Sequence, residues 1–577
     1  MEQEREERRG FDRRLTQYGD EGFALFLRRA FLSAQGLTEA SREGPVVGIA
    51  STASDFNPCH ATAPELIRAI ERGVTMAGGL PFTFPTISLH ESFAWPSSML
   101  LRNLLAMDTE EMLRALPVDA VVLVGGCDKT LPAQIMGAVS AGVPALVAPV
   151  GPMLAGRHEG KRLGACTDCR RLWAAHRAGE IDEAELHRAQ DQLMPSHGTC
   201  MTMGTASTMA CLAETLGFVL PGGSSIPAVL SERLRFGERT GARAVELART
   251  GEPVPSSLVT PASIRNAVTV LQALGGSTNA LIHLAAIAGR AGLTLDLDEV
   301  DRVGRDTPVL VNLKPVGMGY MEDFHRAGAL PALQRRLASR LDLSTRAADG
   351  RTLEEVVGSW PDWVDDEVIR PLDRPVAPGE ALVVLRGSLA PDGAVLKRAA
   401  ASGGLVQHEA PALVFDGLED LAARLDSPEL AVTPEHILVL RGVGPIGGPG
   451  MPEAGSIPIP KRLARQGVKD MVRISDARMS GTAYGTVILH VAPEAAAGGP
   501  LALVQDGDLI RLDAMKRRLD LLVPESELEE RRAHLRLPTA PLRGYGRLYH
   551  QHVMQADRGC DFDFLVGRPK PVPPDTP

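Results

Sequence analysis

The segment Gly125-Gly126-Cys127-Asp128-Lys129-Thr130 places a soft thiolate, a hard carboxylate and an amine in consecutive positions. A thiolate suits an iron-sulfur or zinc centre and a carboxylate suits magnesium or manganese, so the pair points to two unlike metals side by side. Two further cysteines have comparable settings, Cys59 in Ser54-Asp55-Phe56-Asn57-Pro58-Cys59-His60 and Cys200 in His197-Gly198-Thr199-Cys200-Met201-Thr202. Three thiolates from three loops are one short of the usual four-cysteine cluster. A missing protein ligand leaves an iron free to bind a substrate oxygen, the logic of an open catalytic metal site. The plainer reading is three unrelated cysteines, each packed away as free cysteine often is.

The elements that must position these residues show as apolar runs. Ala120-Val121-Val122-Leu123-Val124 has the length and β-branching of a fully buried strand, and in an open α/β sheet ligands collect where such strands end. Similar runs at 46–50, 145–148 and 309–311 alternate with helical stretches, which predicts a mainly parallel sheet covered on both faces. Thr202 to Leu216 reads as a helix stopped by Gly217, and Asn279 to Gly289 as a second, packed on Leu281, Leu284, Ala285 and Ala288. A helix starting beside Cys200 favours its thiolate. From residue 376 onward, ALVVLRGSLAPDGAVLK, HILVLRGVGPIGGPG, GTVILHVAP and DGDLIRLD are short strands parted by Gly, Pro and Asp turns. The expected fold class is α/β: an N-terminal mainly parallel sheet with flanking helices in residues 1–375, and a β-rich, barrel-like C-terminal domain in 376–577. The Pro-rich link RPLDRPVAPGE marks the boundary, and no solenoid-type repeat is present.

At 577 residues the chain exceeds one ordinary core. An apolar fraction of 44% and a charged fraction of 23% are those of a soluble globular protein. A formal charge of -10 argues against a general nucleic-acid surface or a polybasic membrane anchor, and four Trp with five Tyr leave little for stacking on bases. The charged start MEQEREERRGFDRR lacks the apolar core of a secretory signal, and no window has the apolar length of a spanning helix, so a cytoplasmic location is expected. Seven cysteines form an odd set without the spacing of a disulfide scaffold. The closing RPKPVPPDTP reads as an extended tail.

Six blocks in order, DFNPCH, GGCDKTLPAQIMGA, GTCMTMGTASTMACLAETLG, GGSTNALIHLAAIA, GPGMPEAG and ISDARMSGTAYGT, together resemble the dihydroxy-acid dehydratase and phosphogluconate dehydratase family. The resemblance runs from about residue 45 to the CDFDFL stretch at 560–565. It implies a [2Fe-2S] cluster held by Cys59, Cys127 and Cys200, with the fourth position of one iron open. It implies Mg²⁺ bound by Glu91, Asp128 and Glu453, with Lys129 carbamylated into an anionic oxygen ligand. It makes Ser480 the general base, with Gly481 and Thr482 meeting the substrate carboxylate. It further implies a homodimer or homotetramer.

The bare residues bear several of these assignments differently. Lys129 as an ammonium is repelled by Mg²⁺, so it is modified, pairs with Asp128, or grips a substrate carboxylate. Glu91 alone reads as a solvated helix-end charge, and Glu453 sits in a Gly- and Pro-shaped loop that a metal could approach. A serine such as Ser480 in a Gly-containing turn is ordinarily a cap, no nucleophile elbow surrounds it, and a hydroxyl is a usable base only where metal charge stabilises its alkoxide. Ser277, Thr278 and Asn279 could bind substrate hydroxyls, although a helix cap explains the first two equally well. His60 and His90 adjoin proposed ligands and could orient them. His283, Cys211 and Cys560 read as packing, and the Cys166-Thr167-Asp168-Cys169 pair is a weak zinc signal outside the six blocks.

The chemistry implied is loss of water from a 2,3-dihydroxy acid to give a 2-keto-3-deoxy acid, without redox change and without nicotinamide or flavin. DFNPCH, GTCMTMGTAS, DARMSGTAYGT and CDFDFL resemble the sugar-acid branch, which points to an aldonate such as arabinonate, xylonate, fuconate or galactonate. The alternatives are dihydroxy-acid dehydratase of branched-chain amino-acid synthesis and a non-catalytic iron-sulfur redox protein. The latter would close its cluster with four ligands and have no use for Glu91, Asp128, Glu453 and Ser480.

Overall fold

The computed structural model describes residues 9–567, so the expected extended tail at 568–577 lies outside the described residues. Strands β1 (Val46–Ser51), β2 (Leu80–Pro85), β3 (Ala120–Gly125) and β4 (Ala145–Pro149) form a sheet in the order β2-β1-β3-β4, parallel throughout. Every residue of β3 and β4 is buried, as strands covered on both faces require. Sequence reading passes over β2 because Leu80-Pro81-Phe82-Thr83-Phe84-Pro85 carries two prolines. At the sheet edge the missing N–H groups are tolerated.

Helices α1 (Ala63–Met76), α2 (Ser98–Ala115) and α3 (Thr130–Ala141) connect β1 to β2, β2 to β3 and β3 to β4. Right-handed crossovers put α1 on one face, and α2 with α3 on the other, because the chain reverses direction across the sheet after β2. The packing agrees. Beyond β4 come α4 (Thr167–Ala178), α5 (Thr205–Thr215), α6 (Ser231–Thr250) and α7 (Asn279–Arg290), and α1 packs on α6 while α2 packs on α3. The reversal makes the gap between the carboxyl ends of β1 and β3 a topological switch point, where a crevice opens. Helix α5 starts at Thr205 rather than the expected Thr202, after an extended Gly204. The expected strand at 309–311 makes only isolated bridges, Val309 to Ala377 and Val311 to Ile369. Its neighbour, 369–377, contains prolines that cannot complete a ladder.

The C-terminal sheet has eight strands: β5 (Val383–Leu385), β6 (Gly393–Leu396), β7 (Gln407–Asp416), β8 (Ile437–Arg441), β9 (Arg473–Ser475), β10 (Val487–Ala492), β11 (Leu509–Asp513) and β12 (Arg518–Leu521). Their order is β12-β11-β7-β8-β9-β10-β6-β5, with β7 through β10 parallel and the flanks antiparallel. A bridge from Arg386 to Arg518 joins the two edges, so the sheet is nearly a barrel. Strand alternation lets β5 and β6 serve two cores. Val383, Leu385, Ala394 and Leu396 pack inside the C-terminal sheet, whereas Leu382, Val384 and Val395 pack against the N-terminal core.

The α1–α6 contact depends on small residues. A β-carbon at Gly241 would collide with the Ile70 carbonyl oxygen and lie 2.9 Å from Val74 N. Gly241→Ala should therefore destabilise by about 1–3 kcal/mol through overpacking, read as a lowered thermal midpoint; an unchanged midpoint would mean that the helices have room to part.

Candidate functional site

All four N-terminal strands deliver chemistry from their carboxyl ends. Cys59 follows β1, Glu91 follows β2, and Cys127, Asp128 and Lys129 follow β3. Cys200 arrives from a distant loop that is sewn onto the end of β4: Thr199 N donates to Gly151 O at 2.9 Å, and Met153 N to Thr199 O at 2.9 Å. Two parallel strands of the C-terminal sheet do the same, Glu453 lying beyond β8, and Arg478 and Ser480 beyond β9. The loop carrying Glu453 is fixed by two buried carboxyls. Asp476 accepts from Gly442 N and Val443 N, both at 3.1 Å, and Glu494 accepts from Ile446 N at 2.9 Å and Gly447 N at 3.0 Å.

Carboxylate oxygens of Glu91, Asp128 and Glu453 lie within 4.8 Å of one another. The Lys129 ammonium sits among them with no solvent exposure, 2.9 Å from Glu91 and 3.7 Å from Glu453, and paired with Asp128. Arg478, equally enclosed, donates to Glu91 at 2.6 Å and to Glu453 at 2.5 Å, and Ser98 donates to the other Glu91 oxygen. Burial pushes the Glu91 carboxyl up, but the Arg478 guanidinium and Lys129 override it and hold Glu91 well below the usual carboxylate range. Burial and Arg478 pull Lys129 down, and the three carboxylates more than restore it. Three oxygen donors from three elements, two of them cross-braced by one arginine, fit a hard divalent cation.

The thiols divide into two neighbouring pairs. Cys59, Cys127 and His90 present ligand atoms within 4.8 Å of one another. A hydrogen bond from the Cys127 thiol favours the Cys59 thiolate against its burial, with His90 assisting. Cys200 stands outside that group, its sulfur 3.0 Å from Ala165 O and in side-chain contact with Cys166. Cys200 is near enough to Cys59 for the charge of one to act on the other, and a two-iron cluster spans more than a single ion, so three such thiols suit it as donors. His60 orients the central turn. Its Nε2 accepts from Gly126 N at 3.0 Å and Cys127 N at 2.9 Å, which leaves Nδ1 to donate to Thr52 O at 2.9 Å. Cys211 and Cys560 are buried, as expected of packing residues, whereas His283, also buried, meets Arg102 at Nδ1 at 3.2 Å and has no partner at Nε2 among the described residues.

Ser480 Oγ lies 2.8 Å from Thr482 Oγ1. The turn they share is clamped from three directions: Lys397 Nζ donates to Gly481 O at 3.0 Å, Thr167 Oγ1 donates to Thr482 O at 3.1 Å, and Ser277 Oγ lies 2.5 Å from where a Gly481 β-carbon would be. Gly481 therefore cannot be enlarged. Thr278 Oγ1 and Asn279 Oδ1 are buried with no hydrogen-bond partner among the described residues, which leaves them available to a ligand. Ser277 caps instead, accepting from Asn279 N at 3.1 Å and meeting Thr205 Oγ1 at 2.8 Å. Arg478 and Lys397 are the residues that sequence reading passes over. Their signals are a cation within the ISDARMS turn and another ending the apolar run GAVL.

Burial pushes His60 down from 6.5 to about 4. The folded site keeps His60 neutral while the unfolded chain protonates below 6.5, so stability falls as pH drops through that window. The His60 share should approach about 3 kcal/mol. Thermal midpoints of wild type and His60→Gln across the window measure it, and identical slopes would assign the acid sensitivity to other groups.

Comparison with known proteins gives matches over nearly the whole chain. Residues 44–356 match the N-terminal model, and 367–560 the C-terminal model, of dihydroxy-acid/6-phosphogluconate dehydratases. The chain is 49% identical to L-arabonate dehydratase of Azospirillum brasilense over 553 residues, 94% of each chain. It is 46% identical to 6-deoxy-6-sulfo-D-gluconate dehydratase of Pseudomonas putida, covering 95% of this chain and 96% of that one. Against dihydroxy-acid dehydratase of Moorella thermoacetica identity is 38%, over 93% and 98%. Both halves of the chain, the sheet that bears the cysteines and the sheet that bears Glu453 and Ser480, thus belong to the dihydroxy-acid/6-phosphogluconate dehydratase family.

Proposed function

We propose that the chain is a hydro-lyase that dehydrates a sugar acid to its 2-keto-3-deoxy acid, with a [2Fe-2S] cluster on Cys59, Cys127 and Cys200 and Mg²⁺ on Glu91, Asp128, Glu453 and a carbamylated Lys129. The observation that carries it is the meeting of a thiol set and an oxygen set at the single turn 127–129. When bound, the two metals supply Lewis acidity at adjacent substrate oxygens, easing loss of the C2 hydrogen and of the C3 hydroxide. Carbamylation of Lys129 keeps the site's formal charge unchanged: the carbamate and Mg²⁺ together carry the same single positive charge as the ammonium they replace, among the same three carboxylates and Arg478.

Ser480 takes the C2 proton. Its alkoxide would be stabilised by the Thr482 hydroxyl at 2.8 Å and by the charge of the metal when bound. Thr278 and Asn279 offer their unpartnered oxygens to the substrate's hydroxyls. Lys397 holds the Gly481 carbonyl and so the angle at which Ser480 is presented; burial without a carboxylate pushes its ammonium down to about 7. The aldonate class, with arabinonate, xylonate, fuconate and galactonate as candidates, is favoured by the relatives named for sugar acids, 44–49% identical against 36–38% for those named dihydroxy-acid dehydratase.

Assay of an aldonate panel beside 2,3-dihydroxyisovalerate tests the substrate class, and activity on the latter alone would overturn it. Ser480→Ala should keep the cluster's visible absorption and lose at least about 100-fold in kcat; a coloured variant with wild-type turnover removes Ser480 as the base. Lys397→Met should lower kcat by about 10–100-fold with KM little changed, since it tilts the base without touching substrate. Wild-type kcat in that variant would show that the turn holds itself.

A further inference from the structure

Cys166 and Cys169 lie outside the family blocks and outside the proposed reaction, yet the fold brings them to the site. Cys166 caps α4, whose first residue, Thr167, donates to the Thr482 carbonyl beside Ser480. The backbone of Cys166 has φ 71, in the left-handed region that suits glycine and costs a β-carbon-bearing residue on the order of 1 kcal/mol. What that conformation places is a thiol against Cys200. The Cys200 sulfur lies 3.0 Å from Ala165 O, at the peptide bond that leads into Cys166, and the Cys166 and Cys200 thiols are close enough to interact. Ala165 N points at Met201 Sδ at 2.8 Å, so the segments 165–166 and 200–201 run against one another. Both cysteines pack on Met153, Ala165, Met201 and Tyr320, are free, and are partly accessible. Cys169 sulfur accepts from Cys166 N at 3.3 Å.

We infer that Cys166 and Cys200 form a disulfide when the chain is without its cluster and meets a peroxide, and that this bond closes the cluster site until a thiol reductant reopens it. One thiolate attacks the peroxide O–O bond, becoming a sulfenic acid and releasing water. The second attacks that sulfur, the S–S bond forms, and a second water leaves. Two thiols and one hydrogen peroxide thus give one disulfide and two waters, with the peroxide reduced. A dithiol reductant reverses the change by thiol–disulfide exchange. The backbone already brings residue 165 within 3.0 Å of the Cys200 sulfur, and both cysteines pack on the same four side chains, so the two thiols start as neighbours, which is the first requirement of a new bridge. Cys200 so protected is spared the irreversible sulfinic and sulfonic steps. The blocking of the cluster rests on the function proposed above; the disulfide itself does not.

The test uses the full-length chain stripped of iron under reducing conditions, desalted without oxygen and exposed to hydrogen peroxide. Free thiols are then alkylated, and the protein is digested with trypsin without reductant. The expected product joins the peptide bearing Cys166 and Cys169 to the one bearing Cys200, lighter by two hydrogens than their sum. It should persist in Cys169→Ser and vanish in Cys166→Ser, where Cys200 becomes fully alkylated or over-oxidised. Cys166→Gly, which suits the left-handed backbone, repeats the control should the serine variant fold poorly. Full alkylation of Cys200 in peroxide-treated wild type, or a link that survives both Cys166 variants, overturns the inference. A wild type that forms the link but neither binds iron nor dehydrates any aldonate would instead refute the proposed function.

Discussion

The burial of one ammonium organises this molecule. Lys129 has no contact with solvent, and an unpaired buried charge costs several kcal/mol, so the chain tolerates it only by assembling carboxylates around it. Those carboxylates come from different places: Asp128 from the same turn, Glu91 from the end of β2, and Glu453 from beyond β8 in the other sheet. Arg478, beyond β9, braces two of them. Asp128 and Glu91 alone outweigh one ammonium, so it is the surplus negative charge of the three carboxylates that calls for Arg478, and Arg478 reaches it only when the C-terminal sheet docks against the N-terminal one. The site is a consequence of that docking.

The docking brings two sets of strand ends face to face. A parallel strand ends with its carbonyls and the following loop at one edge, so a crevice bordered by β1 to β4 on one side and β8 and β9 on the other receives loops from both. Thiols come from the N-terminal set and Ser480 from the C-terminal set. Rigid strands and close-packed turns hold each group, and Gly126 lets the central turn lie directly on Val150 and Thr199, where any β-carbon would collide. His60 then pins that turn by accepting two successive amides. Such positioning is what oriented catalysis demands, because small displacements of a base or a Lewis acid are costly in rate.

Legibility in the sequence followed burial and locality. Strands β1, β3 and β4 and helix α7 announce themselves because their patterns are local and mostly apolar. Strand β2 does not, since an edge position excuses the prolines that would forbid a central strand. The residues 309–311 have the apolar content of a strand but lack a partner able to pair with them. At the site, Cys127 and Asp128 stand out because unlike donors adjoin after a buried strand, whereas Glu91 looks like any charge at a loop and becomes telling only through Lys129 and Arg478. Lys397 reads as an ordinary strand-ending cation until the hydrogen bond from its ammonium to the Gly481 carbonyl is seen.

By itself the sequence determined the kinds of donor, the alternation of buried strands and helices that makes a parallel sheet, and the family to which both halves belong. These are properties of residue type and of short-range periodicity, which need no knowledge of neighbours. Tertiary structure alone decided which donors meet. Glu91 and Glu453 are hundreds of residues apart and share Lys129 only because two sheets close on one crevice, and Cys200 reaches the end of β4 only through backbone pairing of its loop with Gly151 and Met153. Packing of the 165–166 segment along 200–201 likewise set Cys166 beside Cys200, a proximity of segments whose separation in the chain leaves no trace in spacing or periodicity.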